Sequence, residues 1–259
     1  MSRTKIKRIV VKIGSGVIAA HKKKPEGSHL SSLIEQIYRL REEEKEIILV
    51  SSGAIILGMS ELNLGVRPSD LASLQACAAV GQAVLMRTYS ILFEKHGIKC
   101  AQILLTWDDF KDHKRYDNAH HTFKAILDKG VVPIINENDT ISTEEIKFGD
   151  NDKLSALVAK LIHADSLIIL SDVDGFHNDK KEVIKEIKEI TKEIESFATD
   201  TTKKDISKGG MITKLEAVKI ATPAGIPCVI AGSGTANVLV DIVVGAQTTG
   251  TYFPEKEKK

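Results

Sequence analysis

Two lysines and a few acidic or amide residues stand where phosphoryl chemistry would want charge. Lys12 interrupts an otherwise apolar run, Ile6 to Ile13 (IKRIVVKI), one residue before its end. A lysine inside a central strand is costly to bury unless it meets an anion; the alternative is an exposed edge strand. Lys214 follows a Gly-Gly turn, Gly209-Gly210-Met211-Ile212-Thr213-Lys214, that leads into a helical stretch. Alone it reads as a surface lysine, but with Lys12 it could neutralise a phosphoryl group in transfer. Asp150, Asn151 and Asp152 open an amphipathic stretch (GDNDKLS). Acidic residues at a helix start are first of all caps, yet capping needs one or two such residues and here three polar groups cluster. Asn136, Glu137, Asn138 and Asp139 follow a wholly apolar run. That density could bind an amino group and align the lysines.

Small residues follow the other apolar runs: Gly14-Ser15-Gly16, Ser51-Ser52-Gly53-Ala54, Ser171-Asp172-Val173-Asp174-Gly175 and Gly232-Ser233-Gly234. Glycine lets backbone N–H groups approach an oxyanion, and a following helix adds its positive N-terminus. A glycine after a strand also serves as a plain turn, so each cluster alone is weak. Neither the Walker A motif nor the GxGxxG fingerprint is present, which disfavours a P-loop enzyme and a standard dinucleotide-binding domain. Ser52 lacks the GxSxG context of a hydrolase nucleophile. His113, His120 and His121 lie around a helix start and the other histidines are scattered, so no dedicated metal site is expected.

Elements in a regular rhythm must position these residues. Apolar runs at Ile6–Ile13, Glu46–Val50, Lys99–Leu105, Gly130–Ile135, Asp165–Leu170 and Ile226–Ala231 read as strands. Helical segments lie between them at Ser31–Glu44, Leu71–Glu94, Tyr116–Asp128, Asp152–His163 and Met211–Pro223. Leu154, Leu157, Val158, Leu161 and Ile162 follow the i, i+3, i+4, i+7, i+8 stripe of a helix with one buried face. Continuous apolar strands alternating with helices predict α/β, with a mainly parallel sheet covered on both faces. In such sheets ligands sit beyond the carboxyl ends of the strands, where the small and acidic residues fall. His21–Gly27 reads as a basic loop, 138–150 as a polar hairpin, and 178–208 as a charge-rich segment, a solvated helix or a mobile excursion. Pro254–Lys259 is expected to be a frayed charged tail.

Composition sets wider bounds. A chain of 259 residues, 42% hydrophobic and 27% charged, fits one large globular domain. Lysine plus arginine (36) nearly balances aspartate plus glutamate (35), so neither nucleic acid nor an anionic membrane is demanded as a partner. No apolar run reaches the roughly 18 residues of a membrane helix, and the basic start has no signal-peptide character. Cys77, Cys100 and Cys228 form no CxxC pair and read as buried thiols of a reducing compartment, with the cytoplasm as default.

The quoted stretches, read in order, resemble the amino acid kinase family, and within it the branch that phosphorylates free L-glutamate. The resemblance rests on IVVKIGS from Ile9, VSSGAI from Val50, PIINEND from Pro133, FGDNDKLSA from Phe148, LSDVDG from Leu170 and GGMITK from Gly209. Ala79-Val80-Gly81-Gln82 and Gly250-Thr251-Tyr252-Phe253 also fit, so it spans about residues 6–253. It implies a three-layer αβα sandwich forming a single domain over 1–259. Residues 1–165 would form the amino-acid-binding part, 166–253 the nucleotide-binding part and 254–259 the tail. It implies that ATP, with Mg2+ on its phosphates, phosphorylates the γ-carboxylate of L-glutamate and so opens proline biosynthesis. Lys12, Asp152 and Lys214 would be catalytic, Asp152 orienting both lysines. Ser52, Gly53, Ala54, Asp139, Asp150 and Asn151 would bind glutamate, Asp139 pairing with its α-ammonium. Lys12, Gly14, Ser15, Ser171, Asp172, Gly209, Gly210, Met211, Thr213 and Lys214 would line the nucleotide. The resemblance also implies a homo-oligomer, a dimer or tetramer, feedback inhibition by proline, and a glutamyl phosphate reductase that takes up the product.

Two features depart from the family pattern. Bacterial members often carry a C-terminal PUA domain, and this sequence has the length of the short form. The usual Gly-Thr-Gly-Gly-Met turn here reads Ser207-Lys208-Gly209-Gly210-Met211. The rival readings are a sister kinase acting on N-acetylglutamate, aspartate or UMP, and a non-catalytic nucleotide-binding protein on the same fold. Retention of Lys12, Asp152 and Lys214 argues against the last.

Overall fold

The chain alternates strand and helix around a central sheet. The computed structural model describes residues 6–142, 151–201, 210–245 and 249–256. Strand β1 (Arg8–Ile13) leads into α1 (Ser15–Lys23) and α2 (His29–Glu42), then β2 (Glu46–Ser51), α3 (Ala54–Glu61) and α4 (Leu71–Glu94). After them come β3 (Cys100–Leu105), a 3-10 turn (Trp107–Phe110), α5 (His113–Leu127), β4 (Val132–Glu137) and α6 (Asn151–Leu161). The last third holds β5 (Ser166–Ser171), α7 (Lys192–Thr201), α8 (Met211–Ala221), β6 (Cys228–Gly232), α9 (Val238–Val243) and β7 (Thr251–Phe253).

The seven strands are ordered β3-β4-β2-β1-β5-β6-β7. All neighbours run parallel except β7, which pairs antiparallel with β6. Thus β1 is the middle strand, and Lys12, paired with Val50 on one side and Ile169 on the other, is far from either edge.

Two apolar cores flank the sheet, and strand alternation assigns each side chain to one of them. Ile9, Val11 and Ile13 enter the core shared with α1, α2, α4 and α9, whereas Val10 enters the core shared with α6 and α8. Period-2 alternation therefore turns Lys12 toward α6 and α8. On β4, Val132 and Ile134 join the first core and Ile135 the second, so Asn136 turns toward α4.

Local chemistry starts the helices. The side chains of Ser28, Asp70 and Asp112 accept from the backbone N–H of Ser31, Ser73 and Arg115, capping α2, α4 and α5. The apolar α4 is long enough to cross a membrane by length and composition, but here Leu74, Leu85, Tyr89 and Phe93 are buried in the protein. It crosses α3 with almost no gap: a Cβ on Gly81 would lie 1.7 Å from Ala54 O, and one on Gly58 1.8 Å from Cys77 O.

Several expectations need correction. His21–Gly27 is not all loop, since α1 runs to Lys23 and buries His21, whose Nδ1 lies 2.6 Å from Ser28 Oγ. Three further elements (α3, α9 and β7) have no counterpart in the sequence reading. Within 178–201 the chain is partly anchored, with Ile187 and Ala198 buried. His113 opens α5, whereas His120 and His121 lie inside that helix. The expected hairpin falls mostly on residues 143–150, outside the described residues.

Candidate active site

The carboxyl ends of β1, β2, β4 and β5 form one rim, and several helices begin on it. The first, α1, starts directly after Gly14, and α3 after Gly53, whose φ of +111° only glycine adopts without strain. Asn151 and Asp152 form the first turn of α6, and Gly210 precedes the first residue of α8, Met211. Helix N-termini offer N–H groups and partial positive charge to anions.

Lys12, Asp152 and Lys214 meet on this rim. Asp152 is fully buried, while Lys12 is 8% and Lys214 5% exposed. Lys12 Nζ lies 2.6 Å from Asp152 Oδ1, and Lys214 Nζ 3.2 Å from Oδ2. Thr213 Oγ1 donates to the same Oδ2 at 3.0 Å. Burial alone would push the Asp152 carboxyl up, but Lys12 and then Lys214 outweigh it and hold Asp152 below the usual carboxylate range. A lone carboxylate in this setting would take up a proton; two ammonium groups keep it charged. The three groups together carry one net positive charge. A Cβ on Gly14 would lie 4.0 Å from Lys12 Nζ, so the lysine head sits beside the backbone that opens α1.

The other face of the rim is held by neutral amides. Asn151 Nδ2 donates to Ser51 O at 2.9 Å and to Asn136 Oδ1 at 2.7 Å. Asn136 Nδ2 donates to Gln82 Oε1 at 2.9 Å, and Gln82 Nε2 to Gln102 Oε1 at 2.8 Å. Ser51 Oγ is 2.8 Å from the hydroxyl of Tyr89, whose ionisation burial pushes upward. Asp139 lies beyond β4 and is half-buried. Burial, then the nearby Glu137 carboxylate, raises its pKa to about 7 against the opposing pull of Arg67.

The remaining sequence-predicted residues fall as follows. Gly14 and Ser15 lie at the start of α1, and Ser52, Gly53 and Ala54 link β2 to α3. Ser171 ends β5 next to β1 in the sheet, and its Oγ donates to Asp172 Oδ1 at 2.9 Å. Thr213 bonds Asp152 directly, and Gly210 and Met211 begin α8. Asp150 and Gly209 lie outside the described residues. Among the described residues no hydrogen bond joins Ser171 or Asp172 to the lysine–aspartate cluster. Sequence reasoning passed over Gln82, Gln102 and Tyr89. Gln82 appeared in it only within a matching segment, and nothing in the local pattern announces its partner 54 residues away.

Residues 7–232 match the profile of the amino acid kinase family. A glutamate 5-kinase of Clostridium tetani is 44% identical over 254 residues, covering 96% of this chain and 94% of that protein. A glutamate 5-kinase of Carboxydothermus hydrogenoformans is 44% identical over 98% of this chain and 69% of its own length. The glutamate 5-kinase 2 of Bacillus subtilis is 42% identical over 96% of this chain and 68% of its own length. Among solved structures, the carbamate kinase from Giardia lamblia bound to AMP-PNP superposes with a TM-score of 0.65, covering 98% of this chain and all of that one. At 19% identity that likeness speaks for the fold alone.

Proposed function

The chain belongs to the amino acid kinase family, and from that premise we propose that it transfers the γ-phosphoryl group of ATP to the γ-carboxylate of L-glutamate. The product is γ-glutamyl phosphate, the first intermediate of proline biosynthesis. The carrying observation is the buried Lys12–Asp152–Lys214 cluster on the rim of the central strands, in a chain 44% identical to a glutamate 5-kinase along nearly all of both lengths.

A carboxylate is already a nucleophile at neutral pH, so the reaction needs no strong base. It needs two anions held in line and their repulsion cancelled. A γ-carboxylate oxygen of glutamate bonds to the γ-phosphorus of ATP as the bond to the β,γ-bridging oxygen breaks, and ADP leaves with that electron pair. Lys12, beside the Gly14 backbone, contacts the phosphoryl group in transfer. Lys214 stabilises the charge growing on the leaving side. Asp152 holds both ammonium groups in position before substrate arrives, so little reorganisation is needed during transfer. Gly14 and Ser15 donate to phosphate oxygens, and Ser171, Asp172 and the turn before α8 line the nucleotide. Ser52, Gly53, Ala54, Asp139, Asp150 and Asn151 line the glutamate site, with the Asp139 carboxylate opposite the α-ammonium. Among the described residues no cluster of three or more His, Cys, Asp or Glu side chains could hold a metal ion. Mg2+ belongs to the nucleotide substrate, carried on its phosphates, where it offsets their charge.

The same reading assigns residues 1–165 to the amino acid and 166–253 to the nucleotide, and makes the protein a cytoplasmic homo-oligomer. Proline, which presents the same α-carboxylate and a protonated amine, would compete at the glutamate site. An acyl phosphate hydrolyses readily in water, which favours prompt consumption by a reductase.

The test is ADP release from Mg-ATP against a panel of acceptors, with hydroxylamine present to trap an acyl phosphate. Hydroxamate is expected with L-glutamate and not with N-acetyl-L-glutamate, aspartate or UMP. Turnover with another acceptor alone would overturn the substrate assignment, and ATP binding without turnover would overturn the kinase reading. Steady-state kinetics with proline should show competition against glutamate; its absence would remove the regulatory part.

A further inference from the structure

The side-chain amides of Gln102, Gln82, Asn136 and Asn151 form a chain from strand β3 to the first turn of α6. An amide can point either way in principle, but backbone groups fix this chain at two places. The carbonyl of Ser51 can only accept, so the group of Asn151 facing it at 2.9 Å is the NH2. The N–H of Glu137 can only donate, so the atom of Asn136 that it meets at 3.0 Å is the oxygen. That oxygen also takes the second N–H of Asn151, at 2.7 Å. Asn136 must then donate to Gln82, and Gln82 must offer its oxygen, at 2.9 Å.

One consequence concerns the acceptor pocket. Both donors of Asn151 are spent inside the protein, and among the described residues no hydrogen bond engages its Oδ1. Asn151 can therefore offer a ligand only an acceptor. On the glutamate site proposed above, this oxygen and the Asp139 carboxylate together would read a donor-rich cation, and a free ammonium fits where an N-acyl amide, with one N–H and no charge, does not.

We propose that Gln82 is a positioning residue for acceptor specificity: by accepting from Asn136 it holds the Asn136–Asn151 pair in place, in the polarity the Ser51 and Glu137 backbone groups set, which selects an acceptor with a free ammonium group. The assignment rests on the glutamate kinase reading above and deepens it. Gln82 touches no reacting atom; it acts from α4 through Asn136.

Three substitutions at this half-exposed position separate polarity from packing. Gln82→Glu keeps an acceptor toward Asn136. Gln82→Leu removes it, and Gln82→Lys supplies a donor, which draws the Asn136 oxygen away from Asn151. Gln82→Lys and Gln82→Leu should raise the glutamate KM about tenfold, with kcat and the ATP KM within about twofold of the parent, while Gln82→Glu stays within about twofold throughout. The preference for L-glutamate over N-acetyl-L-glutamate in kcat/KM should fall in the Lys and Leu variants only. Thermal midpoints show which variants fold, and Gln82→Leu carries the test if Gln82→Lys does not. Equal KM values in all three variants, or changes confined to kcat or the ATP KM, would overturn the assignment. Absence of hydroxamate from the parent protein with glutamate is a separate result: the functional reading would fall first, and the Gln82 role with it.

Discussion

Asp152 and Asp139 stand on the same rim, yet their surroundings push them in opposite directions. Asp152 is fully buried among Lys12, Lys214 and Thr213, and its pKa is lowered. Asp139 is half-buried near Glu137, with Arg67 as the countering charge, and its pKa rises to about 7. The first carboxylate is completed within the chain; the second is improved by a further cation. Paired groups driven apart by environment mark a division of roles. On the proposed reading Asp152 holds cations for the phosphoryl group, and Asp139 receives the cation that the amino acid brings. The seam between the two regions is one helical turn, since Asn151 faces the amide chain and the adjacent Asp152 faces the lysines.

The largest expected effect tests the completed side. Asp152→Asn leaves two lysine ammonium groups buried with less compensation, which should destabilise the protein by about 3–5 kcal/mol and collapse kcat. The sign with pH follows from the lowered pKa. The contribution of Asp152 is full above the unfolded carboxylate value of about 3.9 and is lost as pH falls through the lower folded value. Replacing all three groups with apolar residues of similar size (Lys12→Met, Asp152→Leu, Lys214→Met) should recover much of that stability and no activity. Urea melts and the hydroxamate assay together check this. A triple variant as unstable as Asp152→Asn would mean that the cluster exists to hold the fold.

Next in size is the loss of one lysine. Lys12→Ala or Lys214→Ala should lower kcat about a hundredfold or more, the scale for losing one preorganised electrostatic contact. A folded Lys12→Ala protein with unchanged kcat would remove Lys12 from the transfer step and dissolve the contrast between the two sides.

How far each side was readable in the sequence follows from the same contrast. Lys12 stood out because a charge inside an apolar strand is anomalous, and the structure confirms its burial in the middle strand. Asn151 and Asp152 stood out as polar density at a helix start. The six parallel strands and the helices α2, α4, α5, α6 and α8 were visible from periodicity, with ends shifted by a few residues. The short β7 was missed because three residues carry no periodic signal, and α1 because Gly14-Ser15-Gly16 resembles a plain turn. The amide chain stayed hidden for another reason. Gln82 and Gln102 look like ordinary solvent-facing residues, and only the packing of α4 against the sheet brings them to Asn136.

That packing supplies the third prediction, directed at the acceptor side. Gly81→Ala would place a Cβ 1.7 Å from Ala54 O, so α3 or α4 must shift. Overpacking of this kind costs about 1–3 kcal/mol. Because Ala54 opens α3 at the proposed glutamate site and Gln82 follows Gly81, the glutamate KM should rise more than the ATP KM. A melt shift with no change in either KM would show that the crossing stabilises the fold without shaping the pocket.

The smallest expected effect tests Asp139, and it should change sign with conditions. Its folded pKa of about 7 lies above the unfolded value of about 3.9. Between those values the unfolded chain gives up the proton first, so stability falls as pH rises and then levels off above about 7. Asp139→Asn removes that loss. Its thermal midpoint should match the parent near pH 4 and exceed it at pH 8. The catalytic readout runs the other way, because an ionised Asp139 is what an ammonium group pairs with. The parent's glutamate KM should therefore rise as pH falls through about 7, while Asp139→Asn should show a higher KM with that step flattened and the ATP KM unmoved. Saturating L-glutamate should raise the parent's midpoint at pH 8 more than the variant's. A stabilised variant with an unchanged glutamate KM would leave Asp139 as a carboxylate strained by burial and by Glu137, with no part in binding the substrate's cation.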